Sequence, residues 1–391
     1  MRVLYCTDTY PPQINGVSIV TALSVRGMSR LGWSCAVVAP RYPAEAHALW
    51  CEGSAASEAE LVSLPSLPLP RYPEVRMALP NLGAVHRLVA RFRPDLIHCE
   101  TEFCVGRLGQ LAAARARVPV VSSYHTDFAR YADAYGAPWL RNSVSGYLAR
   151  FHRRSRRIYT PSSVSRADVL GFGVPDVEVW GRGVDAEMFH PSRRSQAFRR
   201  SLGAAAAFVF VYVGRLATEK GPELILEAFR LTAAALPPGS VHLVMAGTGP
   251  KEAELRAMAP AGVTFLGFLD RRTQLPELYA SSDAFVFASV TETLGLVVLE
   301  AMASGLPVIA APAGGVRDHL RHGENGLEYP PSYTGRMAQA MTTLATNREL
   351  AERLALGARR TAETLTWQRE MERLDRSYRE VCSERTSQAA A

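Results

Sequence analysis

The chain has 391 residues, more than one hydrophobic core usually serves, so two domains are expected. Hydrophobic residues make up 48% and charged residues 21%, and no apolar run is long enough to cross a bilayer, which argues against an integral membrane protein. The N-terminus lacks a signal-peptide pattern, and the six cysteines show neither metal-ligand nor disulfide-framework spacing, so a cytoplasmic location is expected.

Positive charge is concentrated in the first half of the chain. The net charge is +7, and residues 71–157 carry fifteen arginines against six carboxylates, a local charge of +9. Such an excess is typical of surfaces that face nucleic acid, an anionic membrane or a phosphorylated substrate. The only two lysines are Lys220 and Lys251.

In chain order, strand-like apolar runs alternate with helix-like stretches, and the alternation occurs twice. The predicted strands of the first half are 3–7, 35–39, 95–99, 118–123, 157–160 and 177–180, with helices such as 17–31 and 80–92 between them. Those of the second half are 208–213, 241–246, 263–266, 284–288 and 307–311. A segment with four prolines, between residues 65 and 73, is expected to be a loop.

This pattern predicts an α/β fold of two doubly wound, Rossmann-like domains whose parallel sheets face a central cleft. The expected domains are 1–187 and 188–366. A final helical segment, 367–391, is expected to pack back on the first domain.

A basic, glycine-containing segment, residues 213–221, lies between a predicted strand and a predicted helix. Gly214 and Gly221 let the backbone approach a ligand, and a helix N-terminus favours an anion. Arg215 can donate two hydrogen bonds to phosphate oxygens, and Lys220 adds a point charge. The alternative is a solvated turn with two surface cations.

A second cluster holds two glutamates separated by seven residues. Glu292 follows a predicted strand, and Glu300 lies about two turns into the helix that opens near Gly295. Two carboxylates at one helix mouth can bind the hydroxyls of two different sugars. The alternative is a glutamate that favours the helix dipole and a second, solvated one.

The two clusters together resemble the signature of retaining glycosyltransferases of the GT-B fold, in glycosyltransferase family 4. Further matching segments occur along almost the whole chain, at 11–12, 15–17, 123–126, 183–185, 189–191 and 246–250. The segment 124–127 and the proline-rich segment are similar to a subgroup with GDP-mannose-dependent α-mannosyltransferases and sulfoquinovosyl-diacylglycerol synthases.

The resemblance implies that the second domain binds a nucleotide-sugar donor and the first binds the acceptor. Arg215 and Lys220 would bind the diphosphate, Glu300 the ribose and Glu292 the transferred sugar. Other donor contacts would come from glycines and from backbone or base-proximal positions, namely Gly16, Gly214, Gly247, Gly249, Phe268, Leu269, Leu294, Gly295 and Leu296. Asn15 stands where many relatives have glycine, so a stiffer loop is expected there.

Two polar residues at one strand end are candidates for the chemistry itself. The resemblance places His125 beside the reacting sugar, with Asp127 as a second candidate base. A structural role remains open for both. No Asp-x-Asp segment occurs where a donor-side metal would bind, so neither a metal nor another cofactor is expected, and Arg215 and Lys220 would replace the metal.

The predicted reaction is transfer of a hexose, mannose from GDP-mannose, to a lipid or glycan acceptor held by loops 41–80 and 128–146. The alternatives are a glycolipid synthase that uses a UDP-sugar (glucose, glucuronate or sulfoquinovose), a nucleotide-sugar epimerase, and a non-catalytic binder. The arginines of 141–157 could dock the first domain on the inner face of the plasma membrane. Nucleic acid is not an expected partner, because no recognition motif accompanies the charge.

Overall fold

The computed structural model describes residues 1–13, 15–43, 59–69, 72–128, 138–174, 176–181 and 183–390. Two compact units are present: the first contains Met1–Ala129, Trp139–Gly181 and Trp367–Ala391, and the second is built on Arg182–Thr366. Of the loops expected to hold the acceptor, residues 44–58, 70–71 and 129–137 lie outside the described ranges.

The first unit contains a seven-stranded parallel sheet and a separate hairpin. The sheet has the order β3-β2-β1-β6-β7-β8-β9, and β4 and β5 form the antiparallel hairpin. The strands are β1 (Arg2–Cys6), β2 (Ser34–Pro40), β3 (Ala59–Leu64), β4 (Ser66–Leu69), β5 (Tyr72–Ala78), β6 (Leu96–Cys99), β7 (Val120–Ser123), β8 (Arg157–Thr160) and β9 (Val177–Val179). The helices between them are α1 (Gly16–Arg30), α2 (Leu82–Phe92), α3 (Cys104–Ala116), α4 (Arg141–His152) and α5 (Ser163–Leu170).

The hairpin corrects the expectation of a loop in the proline-rich segment. Ser66 lies opposite Ala78, and Pro68 lies opposite Arg76. In a two-stranded hairpin each strand is an edge strand, where the missing N–H of proline is tolerated. The expectation of a loop was wrong because prolines, although typical of loops, also fit edge strands.

The second unit contains a six-stranded parallel sheet in the order β12-β11-β10-β13-β14-β15. Its strands are β10 (Phe208–Val213), β11 (Val241–Ala246), β12 (Val263–Gly267), β13 (Ala284–Phe287), β14 (Val308–Ala310) and β15 (Gly326–Glu328). Its helices are α6 (Gln196–Ser201), α7 (Pro222–Ala235), α8 (Glu252–Met258), α9 (Gln274–Ala280), α10 (Leu296–Ala303), α11 (Thr334–Thr346) and α12 (Arg348–Thr364). Strands β10, β13 and β14 are apolar throughout because helices cover both faces of the sheet.

The final helix, α13 (Trp367–Ala390), belongs to the first unit although it follows the second in sequence. The indole Nε1 of Trp33 donates to Asp375 Oδ1 at 2.7 Å, and Arg157 Nη1 donates to Glu380 Oε2 at 2.8 Å. Buried Tyr378 adds an aromatic contact, with its ring centroid 5.5 Å from that of Trp33. Among the described helices, including this one of 24 residues, none is both long and apolar enough to cross a membrane.

Candidate active site

Most of the predicted site residues of the second unit lie in the segments that follow its strands. The segments after β10, β11, β12, β13 and β14 include residues 214–221, 247–251, 268–271, 289–295 and 311–315. Because all six strands are parallel, these segments lie at the carboxyl edge of one sheet, the usual ligand-binding edge of such folds.

Backbone packing at this edge requires glycine at several positions, including Gly247 and Gly314. Gly247 has a φ of 134°, and a Cβ there would lie 1.9 Å from the carbonyl oxygen of Gly214. Gly314 has a φ of 53°, and a Cβ there would lie 2.1 Å from the carbonyl oxygen of Glu292. The loops that carry Arg215 and Glu292 are therefore each packed directly against a neighbouring loop backbone.

Arg215 is half-exposed and is anchored by a buried carboxylate. Its Nη2 lies 2.6 Å from Glu219 Oε1, and the Glu219 side chain is fully buried. The Tyr212 hydroxyl donates to the Arg215 carbonyl at 2.9 Å. The guanidinium is held at the end of β10 while 41% of its side chain stays exposed to solvent, so it can contact a ligand.

Lys220 and Glu292, for which the sequence predicted different ligand contacts, form an ion pair with each other. Their side chains are 15% and 18% exposed. Gly221, with a φ of 59°, follows Lys220, and α7 begins at the next residue, Pro222. The structure therefore brings one predicted cation and one predicted carboxylate together beside a helix N-terminus.

Glu300 lies on α10, where the sequence placed it, but it is buried and paired. Arg271 Nε donates to Glu300 Oε1 at 2.8 Å, and the Tyr279 hydroxyl donates to Oε2 at 3.5 Å. Burial raises the pKa of Glu300, because a carboxylate loses hydration inside the protein, and Arg271 partly offsets the rise. Sequence reasoning missed Arg271, although its position directly after the predicted base-contact segment was a usable signal.

The remaining donor candidates of the second unit fall at the same edge. Phe268 is 49% exposed, and Leu269 packs against the core. Gly295, with a φ of 78°, is the N-cap of α10, and Leu296 is the first residue of that helix. Leu294 is buried just before it.

In the first unit, Gly16 is the first residue of α1. The Asn15 side chain caps the helix by accepting from the Ser18 backbone N–H at 2.9 Å, and it also donates to Thr9 Oγ1 at 2.8 Å. A Cβ on Gly16 would meet nothing within 4 Å, so there is open space beside the helix start. Asn15 therefore acts as the helix N-cap.

His125, also in the first unit, follows β7 and contacts a buried carboxylate that sequence reasoning missed. Its Nε2 lies 2.7 Å from Glu100 Oε2, and the Glu100 side chain is fully buried. On the other side of Glu100 lies His98, whose Nδ1 is 3.6 Å from Oε1. Burial lowers the pKa of His98 to about 4, so that histidine is neutral at physiological pH, and Glu100 pairs with His125. Asp127, the second candidate base, is buried two residues further along the chain.

Models of two protein families match the chain. Residues 14–188 match the family described as "Glycosyltransferase Family 4", and residues 207–347 match "Glycosyl transferases group 1". The chain is also 33% identical over 396 residues to a GDP-mannose-dependent alpha-mannosyltransferase of Mycobacterium tuberculosis, covering 100% of this chain and 99% of that protein. The chain belongs to glycosyltransferase family 4.

Two further comparisons place this glycosyltransferase more broadly. It is 34% identical over 321 residues to the sulfoquinovosyl transferase SQD2 of Arabidopsis thaliana, covering 79% of this chain and 61% of that protein. Its fold matches that of HepE of Anabaena, solved with UDP and glucose, with a TM-score of 0.76 at 20% identity over 97% of this chain and 100% of that one. The predicted GT-B fold and hexosyltransferase class are confirmed, and the epimerase alternative is not supported.

Proposed function

We propose that this family 4 glycosyltransferase transfers mannose from GDP-mannose to a lipid or glycan acceptor with retention of anomeric configuration. The observation that carries the proposal is the set of cations, carboxylates and glycine loops at one sheet edge of the second unit, in a chain similar over its whole length to a GDP-mannose-dependent mannosyltransferase. Membrane docking of the first unit belongs to the same proposal.

The donor roles follow the charges at that edge. Arg215 and Lys220 bind the diphosphate, as does the N-terminus of α10 around 294–296, because backbone N–H groups at a helix start favour anions. Glu292 binds the transferred sugar once Lys220 turns to phosphate, and Glu300 binds the ribose. Gly214, Gly247 and Gly249 allow close loop packing, while Phe268 and Leu269 flank the base.

The chemistry is substitution at the anomeric carbon. An acceptor hydroxyl oxygen forms the new bond to that carbon as the bond to the diphosphate oxygen breaks. The departing diphosphate takes the hydroxyl proton, while Arg215 and Lys220 neutralise the charge that develops on it. Gly16 leaves room for the diphosphate, and His125 contacts the reacting sugar. Asp127 is the alternative acceptor of the hydroxyl proton, in place of the diphosphate. No metal takes part in this proposal.

A second candidate donor is favoured by one comparison. The 34% identity to a sulfoquinovosyl transferase supports a glycolipid synthase that uses a UDP-sugar. The same residues would serve, because the diphosphate, ribose and hexose are common to both donor classes.

A donor panel tests the proposal. The protein is incubated with GDP-mannose, UDP-glucose, UDP-glucuronate or UDP-sulfoquinovose and a lipid extract, with and without EDTA, and labelled products are separated. We expect a mannolipid from GDP-mannose that forms equally in EDTA. A product from a UDP-sugar alone selects the second candidate. Loss of activity in EDTA that magnesium restores would contradict the role given to Arg215 and Lys220.

A further inference from the structure

Arg271 makes an asymmetric contact with the buried carboxylate of Glu300. Its Nε donates to Oε1 at 2.8 Å, and its Nη2 lies 2.6 Å from the same oxygen. The side chains are 18% and 3% exposed, respectively. Both close contacts of the guanidinium thus fall on one carboxylate oxygen, and the other oxygen, Oε2, has the longer 3.5 Å contact with the Tyr279 hydroxyl.

Aromatic side chains fix the guanidinium in this position. Arg271 Cζ lies 5.1 Å from the ring centroid of Phe189, within the range of a cation–π contact. Phe189 is fully buried and packs edge-on against the Tyr279 ring, with centroids 5.8 Å apart. The planar guanidinium of an arginine can stack on an aromatic ring, and the ammonium group of a lysine cannot reproduce that geometry.

The pair has an electrostatic consequence for Glu300. A buried carboxylate without a partner tends to take up a proton, because burial penalises the charged form. Arg271 supplies the compensating charge without taking both oxygens. An ionised carboxylate is an acceptor at both oxygens, which is what the hydroxyls of a sugar require.

We propose that Arg271 is a positioning residue for ribose recognition: it holds the Glu300 carboxylate through Oε1 and leaves Oε2 to accept a ribose hydroxyl of the nucleotide. This inference rests on the ribose role of Glu300 in the proposed function. It adds a specificity determinant on the loop after β12 that acts through Glu300 rather than by contact with the nucleotide.

Deoxynucleotides provide the test. GDP and 2′-deoxy-GDP are titrated calorimetrically into the wild type and into Arg271→Gln, Arg271→Lys and Arg272→Gln; UDP and 2′-deoxy-UDP replace them if the donor panel selects a UDP-sugar. Because a hydrogen bond to a charged group is lost with the 2′-hydroxyl, we expect the wild type to prefer the ribonucleotide at least about tenfold. In Arg271→Gln the preference should fall to within about twofold, through weaker ribonucleotide binding alone. Arg271→Lys should be intermediate, and Arg272→Gln, the adjacent matched control, should match the wild type.

Several results would overturn the inference. One is a preference of Arg271→Gln for the ribonucleotide that is as strong as that of the wild type. Another is tighter binding of GDP by Arg271→Gln than by the wild type, which would mean that the guanidinium competes with ribose for Glu300. If Arg271→Gln does not fold, Arg271→Lys decides: an undiminished preference overturns the inference. Glu300→Gln tests the premise separately. A preference lost there but kept in Arg271→Gln removes only the role of Arg271, whereas a preference kept in Glu300→Gln removes the ribose assignment itself.

Discussion

Each proposed phosphate-binding cation has a carboxylate partner, but the two partners differ in their surroundings. Glu219, the partner of Arg215, is fully buried, whereas Glu292, the partner of Lys220, is 18% exposed. Loss of Arg215 therefore removes the ion pair of a buried carboxylate, which costs stability as well as activity. Loss of Lys220 leaves a carboxylate that water can reach.

Lys220→Ala is accordingly a cleaner test of diphosphate binding than a substitution of Arg215. We expect kcat/KM to fall at least about 100-fold, roughly 3 kcal/mol of lost charge stabilisation, with little change in thermal unfolding. Lys251→Ala is the matched control, because Lys251 forms an ion pair with Glu223 and has no role in the proposed site. Activity of Lys220→Ala within threefold of the control would remove the diphosphate assignment.

Substitutions of Glu292 and Glu300 should have different effects on GDP binding. Glu300→Gln should weaken GDP binding at least about tenfold, since the carboxylate that accepts from ribose is lost. Glu292→Gln should leave GDP affinity unchanged or raised, because Lys220 is released for phosphate, yet it should suppress sugar transfer. Calorimetry with GDP and an activity assay on the same preparations check this. Equal losses of GDP affinity in both variants would contradict the division of roles.

At the level of strands and helices, the parallel core was predictable except for the sheet-edge strands β3 and β15, and the contacts between distant segments were not. Strands such as β10 and β13 are continuous apolar runs because helices cover both faces of the sheet, so sequence alone identifies them. The β4–β5 hairpin was missed because its prolines are typical of loops. Glu100 and Arg271 were missed because their importance depends on partners 25 and 29 residues away. The Lys220–Glu292 pair joins residues 72 apart, a distance that no local pattern encodes.

Arg157 links the final helix to the sheet of the first unit, so its role is to stabilise the fold rather than to contact a membrane. Its Nε donates to Asp176 Oδ2 at 2.7 Å, and its Nη1 donates to Ser377 Oγ and Glu380 Oε2, both at 2.8 Å. The side chain is 13% exposed. It is therefore excluded from the group of arginines proposed to meet a membrane.

Arg157→Gln should lower the free energy of unfolding by about 2–3 kcal/mol, because charged hydrogen bonds to α13 are lost. Arg156→Gln, an exposed neighbour, should stay within about 0.5 kcal/mol of the wild type. Urea unfolding followed by tryptophan fluorescence measures the difference, since the tryptophans that the structure describes, Trp33, Trp139, Trp180 and Trp367, all belong to the first unit. Equal stability of the two variants would mean that Arg157 does not fasten the helix.

For the molecule as a whole, the exposed cations at the end of α4 make membrane docking testable. Arg150, Arg153, Arg154 and Arg156 are exposed, and Trp139, just before α4, is 74% exposed. Several cations near an anionic surface attract it by about 1 kcal/mol each. We therefore expect the protein to co-sediment with phosphatidylglycerol vesicles at low salt, to dissociate at about 0.5 M salt, where the Debye length is roughly 4 Å, and to ignore neutral vesicles.

A variant with these four arginines changed to glutamine should lose vesicle binding and keep donor hydrolysis. The matched control changes four exposed arginines of the second unit to glutamine, namely Arg230, Arg348, Arg353 and Arg360. Both variants lose the same charge, so a shared loss of binding would indicate only overall electrostatics. Binding lost in the first variant alone would assign docking to the first unit.

Because the chain has only two lysines, each can be observed individually by NMR after isotopic labelling. Its two side-chain amines, Lys220 and Lys251, are paired with Glu292 and Glu223 respectively, and both belong to the second unit. Reductive methylation with ¹³C-formaldehyde keeps the positive charge of an amine while adding an NMR-visible carbon. The lysine region of the ¹³C spectrum should therefore contain one signal that shifts when Lys220 leaves Glu292 for phosphate, beside one from Lys251 that serves as an internal reference.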